Sequence, residues 1–233
     1  MIKGLNEYEK FKILRPLFSD CKQDQFGLPI IKKEAFNDTD WSSTTICDFQ
    51  NIKSQRGKEQ SIVTMFDYDS VLERIWNDPY RYLLRLSKFK AVCTPDYSIS
   101  PNMNINLIKN NVYKNRWIGC FLQEKGIKVI PTIQWADEST YDFCFSGIEQ
   151  GSVVIVSTIG CRHNQKIFLD GFNRMKETIR PELIIVFGKM IQGMTGEFLK
   201  YSYEDAFSNK NECTRQLQLF PINDVFTIKT EDK

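Results

Sequence analysis

Residues 151–187 read GSVVIVSTIGCRHNQKIFLDGFNRMKETIRPELIIVF, the part of the chain in which the pattern of strands and helices is clearest. Two short apolar runs, Val153–Val156 and Leu183–Phe187, flank a segment whose apolar residues recur at helical spacing. Asn164 can cap this helix at its start, and Pro181 ends it. Strands that are apolar along their whole length are typical of parallel sheets. The stretch therefore predicts two parallel strands joined by a helix.

The same alternation of strand and helix extends toward the N-terminus. Ile62–Phe66, Phe89–Thr94 and Ile127–Trp135 are predicted strands, and residues 104–125 form the longest predicted helix. We therefore predict an α/β fold with a mostly parallel sheet and helices on both faces. The sheet is expected to be either open and doubly wound or a partial barrel.

Composition divides the chain into three parts. Residues 1–60 contain long polar stretches and are predicted to be an N-terminal extension that packs on the body. Residues 61–205 are predicted to form the α/β core domain, and residues 206–233 a C-terminal tail. Because 42% of the 233 residues are hydrophobic and 13% are aromatic, we expect the chain to fold rather than to be disordered as a whole.

Several classes of protein are disfavoured. No apolar run approaches the roughly 18 residues that span a bilayer, and the charged start of the chain is unlike a signal peptide, so we expect a cytoplasmic protein without a membrane partner. The seven cysteines include no C-x-x-C pair and the one histidine is His163, which disfavours a zinc site. The net charge of +2 neither supports nor excludes nucleic acid as a partner.

Side chains that can take part in catalysis or ligand binding follow four of the predicted strands. Ligands bind at the carboxyl ends of strands in open parallel sheets and in barrels alike. Asp96 and Asp137 are therefore the candidate catalytic residues, and they would hold magnesium if a metal is used. The candidate ligand-binding residues are Trp135, Thr158, Lys189 and, from the long helix, Arg116. The alternative is that these are ordinary polar residues of loops.

Arg116 and Trp117 lie in the middle of the long predicted helix. Arg116 can hold a phosphate or carboxylate through two hydrogen bonds, or it can be a buried arginine paired with an anion such as Asp96. Trp117 falls four residues after Tyr113, and we expect it to pack rather than to stack on a ligand.

Six segments carry a resemblance to a known family: VCTPDYS, KNRWIG, KVIPTIQW, DFCFSGI, GSVVIVSTIGC and IIVFGKMIQGM. Their order and spacing over about residues 60–200 resemble an uncharacterised family of phages and mobile elements in low-GC bacteria, known as a domain of unknown function. The resemblance implies a phage or integrative-element genome and a place of action in a bacterial host. It implies no activity.

The tail carries a second resemblance. Gln216–Phe220 reads QLQLF and resembles the short peptide by which bacterial replication and repair proteins attach to the sliding clamp. The residues predicted to contact the clamp are Gln216, Leu217, Leu219 and Phe220. The alternative is an edge strand with alternating leucines.

Two classes of function follow from these patterns. The first is a phage or mobile-element protein of DNA metabolism that binds nucleotide or nucleic acid and is tethered to the host sliding clamp. If this protein is an enzyme, we expect a metal-dependent hydrolase of phosphodiesters or nucleotides. The alternative is a non-enzymatic interaction protein that inhibits or redirects a host replication or defence factor.

Overall fold

The computed structural model describes residues 4–18, 21–36, 39–202 and 218–219 of the chain. The strands are β1 Thr45–Asp48, β2 Ser61–Thr64, β3 Ala91–Cys93, β4 Val129–Ile130, β5 Val153–Ser157, β6 Leu183–Phe187, β7 Glu197–Tyr201 and β8 Gln218–Leu219. The α-helices are α1 Glu7–Leu14, α2 Asp69–Asn77, α3 Leu83–Leu86, α4 Ile105–Glu124, α5 Tyr141–Cys144 and α6 Gln165–Ile179. Short 3₁₀ helices lie at Trp41–Ser43, Phe49–Asn51, Lys58–Gln60, Pro79–Tyr82, Glu138–Thr140 and Cys161–Asn164.

The strands lie side by side in the order in which they occur in the chain. Strands β1 to β4 pair in parallel, as do β5 to β7, and β8 adds an antiparallel pair to β7. The two groups meet just after β4, where the Ile133 amide donates to the Ile155 carbonyl at 2.9 Å and the Ile155 amide donates to the Pro131 carbonyl at 3.0 Å. The predicted α/β fold with a parallel sheet is confirmed.

One face of the sheet is buried by the side chains of the strands themselves. Its buried core draws on all seven parallel strands and on Phe36, and includes no residue of an α-helix. The strand residues are Ile46, Ile62, Ala91, Cys93, Ile130, Val153, Ile155, Ile185, Phe187, Leu199 and Tyr201. A face that buries itself must be concave. Of the two arrangements that the sequence left open, this is the partial barrel.

The helices pack on the other face in two clusters, so among the described residues they cover one face of the sheet and not both faces as the sequence analysis expected. One cluster joins α2, α3 and the second half of α4 to the outward side chains of β1 to β4. The other joins α5, α6 and the first half of α4 to the outward side chains of β5 to β7. Helix α4 therefore bridges the two groups of strands, which explains why it is the longest helix. No helix among the described residues is long and apolar enough to cross a membrane.

Residues before position 61 contribute to the same core. Strand β1 pairs with β2 in parallel over its whole length. Trp117 of α4, which is fully buried, stacks on Phe121 with ring centroids 5.5 Å apart, and its indole nitrogen donates to the Arg15 carbonyl at 3.2 Å. The N-terminal 60 residues thus supply one strand and part of the packing around α4.

The first and last parallel strands approach each other without forming a ladder. No strand pairing joins β1 to β7 among the residues described here, but the Tyr201 hydroxyl donates to the Thr44 carbonyl at 3.0 Å. Close by, the rings of Phe66 and Phe187 stack at 4.6 Å with planes 4° apart. Side chains, rather than backbone pairing, therefore hold the open side of the barrel.

We predict that Tyr201→Phe lowers the free energy of unfolding by roughly 1–2 kcal/mol, because it leaves a buried carbonyl without this donor. Urea unfolding is the measurement. The matched control is Tyr68→Phe, which alters an 82% exposed tyrosine and should change stability by no more than about 0.5 kcal/mol. Equal effects of the two substitutions would contradict the contact between Tyr201 and Thr44.

Candidate functional site

An open cleft of about 920 Å³ lies at the carboxyl ends of the strands. It is lined by residues that follow β1 to β5 and by the start of α6. Its polar and charged lining residues are Gln50, Asp67, Asp69, Asp96, Ser98, Ser100, Gln134, Ser157 and Asn164. Its aromatic lining residues are Phe66, Tyr68, Trp135 and Phe168. The site therefore lies where the strand ends converge.

Asp96 is a carboxyl group with one enclosed oxygen. It follows β3, and its amide donates to the Met65 carbonyl at 3.0 Å, which ties the residue to the segment after β2. Its Oδ1 atom is enclosed and has no hydrogen-bond partner. Burial and, to a smaller extent, the negative charge of Asp69 raise the pKa of Asp96 to about 8, against the Gln134 amide, which lowers it. Asp96 is therefore protonated at neutral pH.

Three further carboxylates surround this rim. Asp67 has one enclosed oxygen without a partner, while its other oxygen accepts from the Tyr68 amide at 2.8 Å. Asp69 accepts from the amide of Ser98 at 2.9 Å and from its hydroxyl at 3.0 Å. Asp48, at the end of β1, is buried, and this burial together with the charge of Asp67 raises its pKa to about 6, against the backbone amides that bond to it.

These three carboxylates were missed in the sequence analysis, although the signal was present. Asp67 directly follows the predicted strand Ile62–Phe66, so the rule that selected Asp96 also applies to it. Asp48 ends β1, which was assigned to the polar extension and not recognised as a strand.

Trp135 is positioned by the helix behind it. Its ring centroid is 5.1 Å from that of Phe168 and 5.6 Å from that of Phe145. Gly171 of α6 lies directly against the indole, because a Cβ atom at that position would be 2.1 Å from the indole nitrogen. A larger residue at position 171 would therefore displace Trp135, and the glycine fixes the wall of the cleft.

Three other predicted residues are absent from the described lining of the cleft. Asp137 caps the 3₁₀ helix that follows it, where its carboxylate accepts from the Ser139 amide at 3.1 Å and hydroxyl at 2.6 Å. Thr158 is buried and its amide donates to the Phe187 carbonyl at 3.0 Å. Lys189 is exposed. The structure thus brings Asp96 and Trp135 together at the cleft and gives Asp137 and Thr158 local structural contacts.

Arg116 is buried away from the cleft lining. Its guanidinium donates to the carbonyls of Cys144 at 2.6 Å and Ser146 at 3.0 Å, and to the side-chain oxygen of Asn115 at 2.6 Å. Burial lowers its pKa to about 10. The contacts tie α4 to the end of α5, so Arg116 organises the segment that follows β4. Its hydrogen-bond partners are neutral oxygens.

The described residues contain no group of three or more histidine, cysteine, aspartate or glutamate side chains placed to hold a metal ion. The carboxylates at the rim can contribute one or two oxygens each, which is the pattern of magnesium sites that are completed by a ligand's phosphates and water. Magnesium therefore fits this rim only together with a phosphate ligand.

The C-terminal pentapeptide lies largely outside the described residues. Gln216, Leu217 and Phe220 are not described, and for Leu219 only the backbone is. The backbone of Gln218 pairs with Phe198, and that of Leu219 pairs with Glu197, at the outer edge of β7.

Comparison with known proteins identifies relatives in phages. The sequence profile of a family described as "Domain of unknown function (DUF4417)" matches residues 23–204. The chain is 38% identical over 125 residues to the Gene 1 protein of Mycobacterium phage L5. The aligned region covers 52% of this chain and 55% of that protein. It is also 36% identical over 125 residues to the Gene 1 protein of Mycobacterium phage D29. This aligned region covers 52% of this chain and 46% of that protein. The chain spans about half the length of these curated relatives. No solved structure matches it.

We predict that the charge state of Asp96 makes stability depend on pH. Since its pKa in the folded protein, about 8, lies above the ordinary value of 3.8, the folded protein keeps a proton that the unfolded chain releases. The free energy of unfolding therefore falls as pH rises between these values. Asp96→Asn removes this loss, and at pH 8 the variant should melt at least about 2 °C above wild type.

The control is Asp48→Asn. Because the pKa of Asp48 is about 6, the change that it causes in the free energy of unfolding occurs below pH 6. The Asp48→Asn variant should therefore lose stability between pH 6 and pH 8 as the wild type does. Thermal melting from pH 5 to pH 8 measures both effects. Parallel curves for wild type and Asp96→Asn would show that Asp96 is ionised in the folded protein.

Proposed function

This chain belongs to the DUF4417 family, a family of unknown function, and from that premise we propose that it binds a nucleotide or a nucleic-acid strand in the cleft, as a protein of phage DNA metabolism. The observation that carries the proposal is the cleft itself. Its lining contains Trp135, whose indole is held in place by Gly171, together with Asp67 and Asp96, each of which has one carboxyl oxygen without a hydrogen-bond partner. Its volume, about 920 Å³, is within the range of small-molecule sites.

The chemistry of the wall matches the chemistry of a nucleotide. Every base has a flat face that stacks on an aromatic ring, and Trp135 supplies such a ring. Hydrogen-bond donors on the base can reach the polar side chains that line the cleft, such as Gln134 and Ser157. The curated relatives come from bacteriophages, which is consistent with action inside a bacterial host cell.

If the protein is an enzyme, the activity that we propose is metal-dependent hydrolysis of a phosphodiester or a nucleotide. Magnesium would be held between a rim carboxylate and the ligand's phosphates, because the described residues offer no complete metal site of their own. Of the two candidate catalytic residues, Asp96 and Asp137, only Asp96 belongs to the described lining of the cleft. Release of inorganic phosphate or nucleoside monophosphate that requires magnesium, and that is lost in Asp96→Ala, would support this step.

We predict that the full chain binds at least one nucleotide with a dissociation constant of roughly 1–100 μM, as expected for one stacked ring with few hydrogen bonds. Isothermal titration calorimetry with the ribonucleotides, the deoxyribonucleotides and a short unpaired oligonucleotide measures it. The control is Trp135→Leu, which removes the stacking ring and should weaken binding at least about tenfold. The proposal fails if none of these ligands binds.

A second function is supported by a different observation. Three large apolar side chains at the mouth of the cleft are exposed: Tyr68 by 82%, Ile159 by 49% and Ile167 by 41%. Exposed apolar groups around a cleft suit a protein partner, as in a non-enzymatic protein that inhibits or redirects a host replication or defence factor. Stoichiometric capture of one host protein, lost in the double variant Tyr68→Ser and Ile159→Ser, would favour this function over nucleotide binding.

We also propose that the tail attaches the protein to the host sliding clamp through Gln216, Leu217, Leu219 and Phe220. Leu219→Ala with Phe220→Ala should abolish binding of the full chain to a purified bacterial clamp in fluorescence polarisation, because the two apolar anchors are lost. Ser208→Ala, in the same tail, is the control and should bind as wild type does. If the double variant lowers the melting temperature by several degrees and wild type does not bind, the tail is an edge strand and this proposal is wrong.

A further inference from the structure

We infer that the cleft receives the base of a nucleotide and that the phosphates remain outside it. This inference rests on the proposed binding function, since it states which end of the ligand the cleft holds. It places Asp96 at the base and is therefore an alternative to the hydrolytic role of Asp96 described above. It is carried by the charge of the wall, by the fixed position of one aromatic ring and by the hydrogen-bonding capacity of Asp96.

The wall of the cleft is acidic. Asp67 and Asp69 line it, and no lysine or arginine is present among the described lining residues. A phosphate group is negatively charged and is bound in proteins by basic side chains, metal ions or helix N-termini. The start of α6 does reach the cleft, but Gly160 and Asn164 there are exposed, so a phosphate at that point stays in contact with water. The uncharged end of a nucleotide is therefore the end that enters.

The aromatic wall is already in its binding position. Trp135 cannot retreat toward α6, because no space for even a Cβ atom exists at Gly171. The ring also packs against Phe168 and Phe145. A base that stacks on a ring held in this way pays little cost for ordering it.

The floor of the cleft offers a neutral carboxyl group. Asp96 keeps its proton at neutral pH because burial and the charge of Asp69 raise its pKa to about 8. The other titratable groups that line the cleft are Asp67 and Tyr68, after β2, and Cys161, after β5. A protonated carboxyl presents one O–H donor and one carbonyl acceptor, as an asparagine amide presents a donor and an acceptor. Because the Oδ1 atom is enclosed, the pair complements the edge of a base once the ligand has displaced the groups that cover this atom, and it requires neither a metal ion nor a positive charge.

The test compares nucleosides with their 5′-triphosphates by isothermal titration calorimetry on the full chain, with and without magnesium. We expect at least one nucleoside to bind, and its triphosphate to bind within about threefold of it in either condition. Triphosphates that bind while nucleosides do not would overturn the inference and leave the proposed function standing. Absence of binding by nucleosides, nucleotides and oligonucleotide alike would overturn both.

Variants at two positions sharpen the test. Asp96→Asn keeps a donor beside an acceptor and should bind the nucleoside within about threefold of wild type, whereas Asp96→Ala should lose at least about tenfold. Asp142→Asn, an exposed residue of α5 outside the described lining, is the matched control and should not change the affinity. If Asp96→Asn binds as poorly as Asp96→Ala, the ionised carboxylate is required and the inference is wrong.

The role of the Trp135 ring is tested by substituting Trp135 itself and by substituting Gly171, which lies against it. Trp135→Phe should retain most of the affinity, and Gly171→Ala should reduce it by at least about threefold, because the added methyl group displaces the indole. Thermal melting of each variant separates a loss of binding from a loss of folding. Wild-type affinity in a folded Gly171→Ala variant would show that the position of the indole does not matter for the ligand, and would overturn the inference.

Discussion

The inner face of the sheet is filled by the side chains of its own strands, and the rest of the structure depends on this packing. Among the described residues no α-helix contributes to that buried cluster, so the apolar face can leave water only if the sheet curls upon itself. Curling forces the carboxyl ends of the parallel strands toward one rim. The loops that follow β1 to β5 are gathered there, and the cleft is a direct consequence of how the core is buried.

The rim carries groups that work against stability. Asp48 and Asp96 have raised pKa values because the fold removes them from water, and Asp67 has an enclosed oxygen without a partner. Each of these is a cost that an apolar or amide side chain would avoid. The inner and outer clusters offset that cost through many buried apolar contacts. Costly polar groups in a cleft are characteristic of sites that bind or react.

Much of the fold could be predicted from the sequence because the strands are short, apolar runs between helices. The curvature could not, since the run Val153–Val156 reads the same in an open sheet and in a barrel. The rule that residues following parallel strands gather at one edge of the sheet correctly placed Asp96 and Trp135 at the cleft. The rule does not give the direction in which a side chain points. Asp137, two residues after Trp135, turns back to cap a helix. Arg116 bonds to carbonyls about thirty residues further along the chain, and only the folded structure brings these together.

The contact between Trp135 and Gly171 couples two positions that lie in different elements of the chain. Because a Cβ atom at position 171 and the indole cannot occupy the same space, Gly171 cannot become larger while Trp135 is kept, whereas a smaller residue at position 135 meets no such obstacle. Over evolutionary time a larger side chain on α6 requires a smaller one after β4. A relative that has lost the glycine should therefore also have lost the tryptophan.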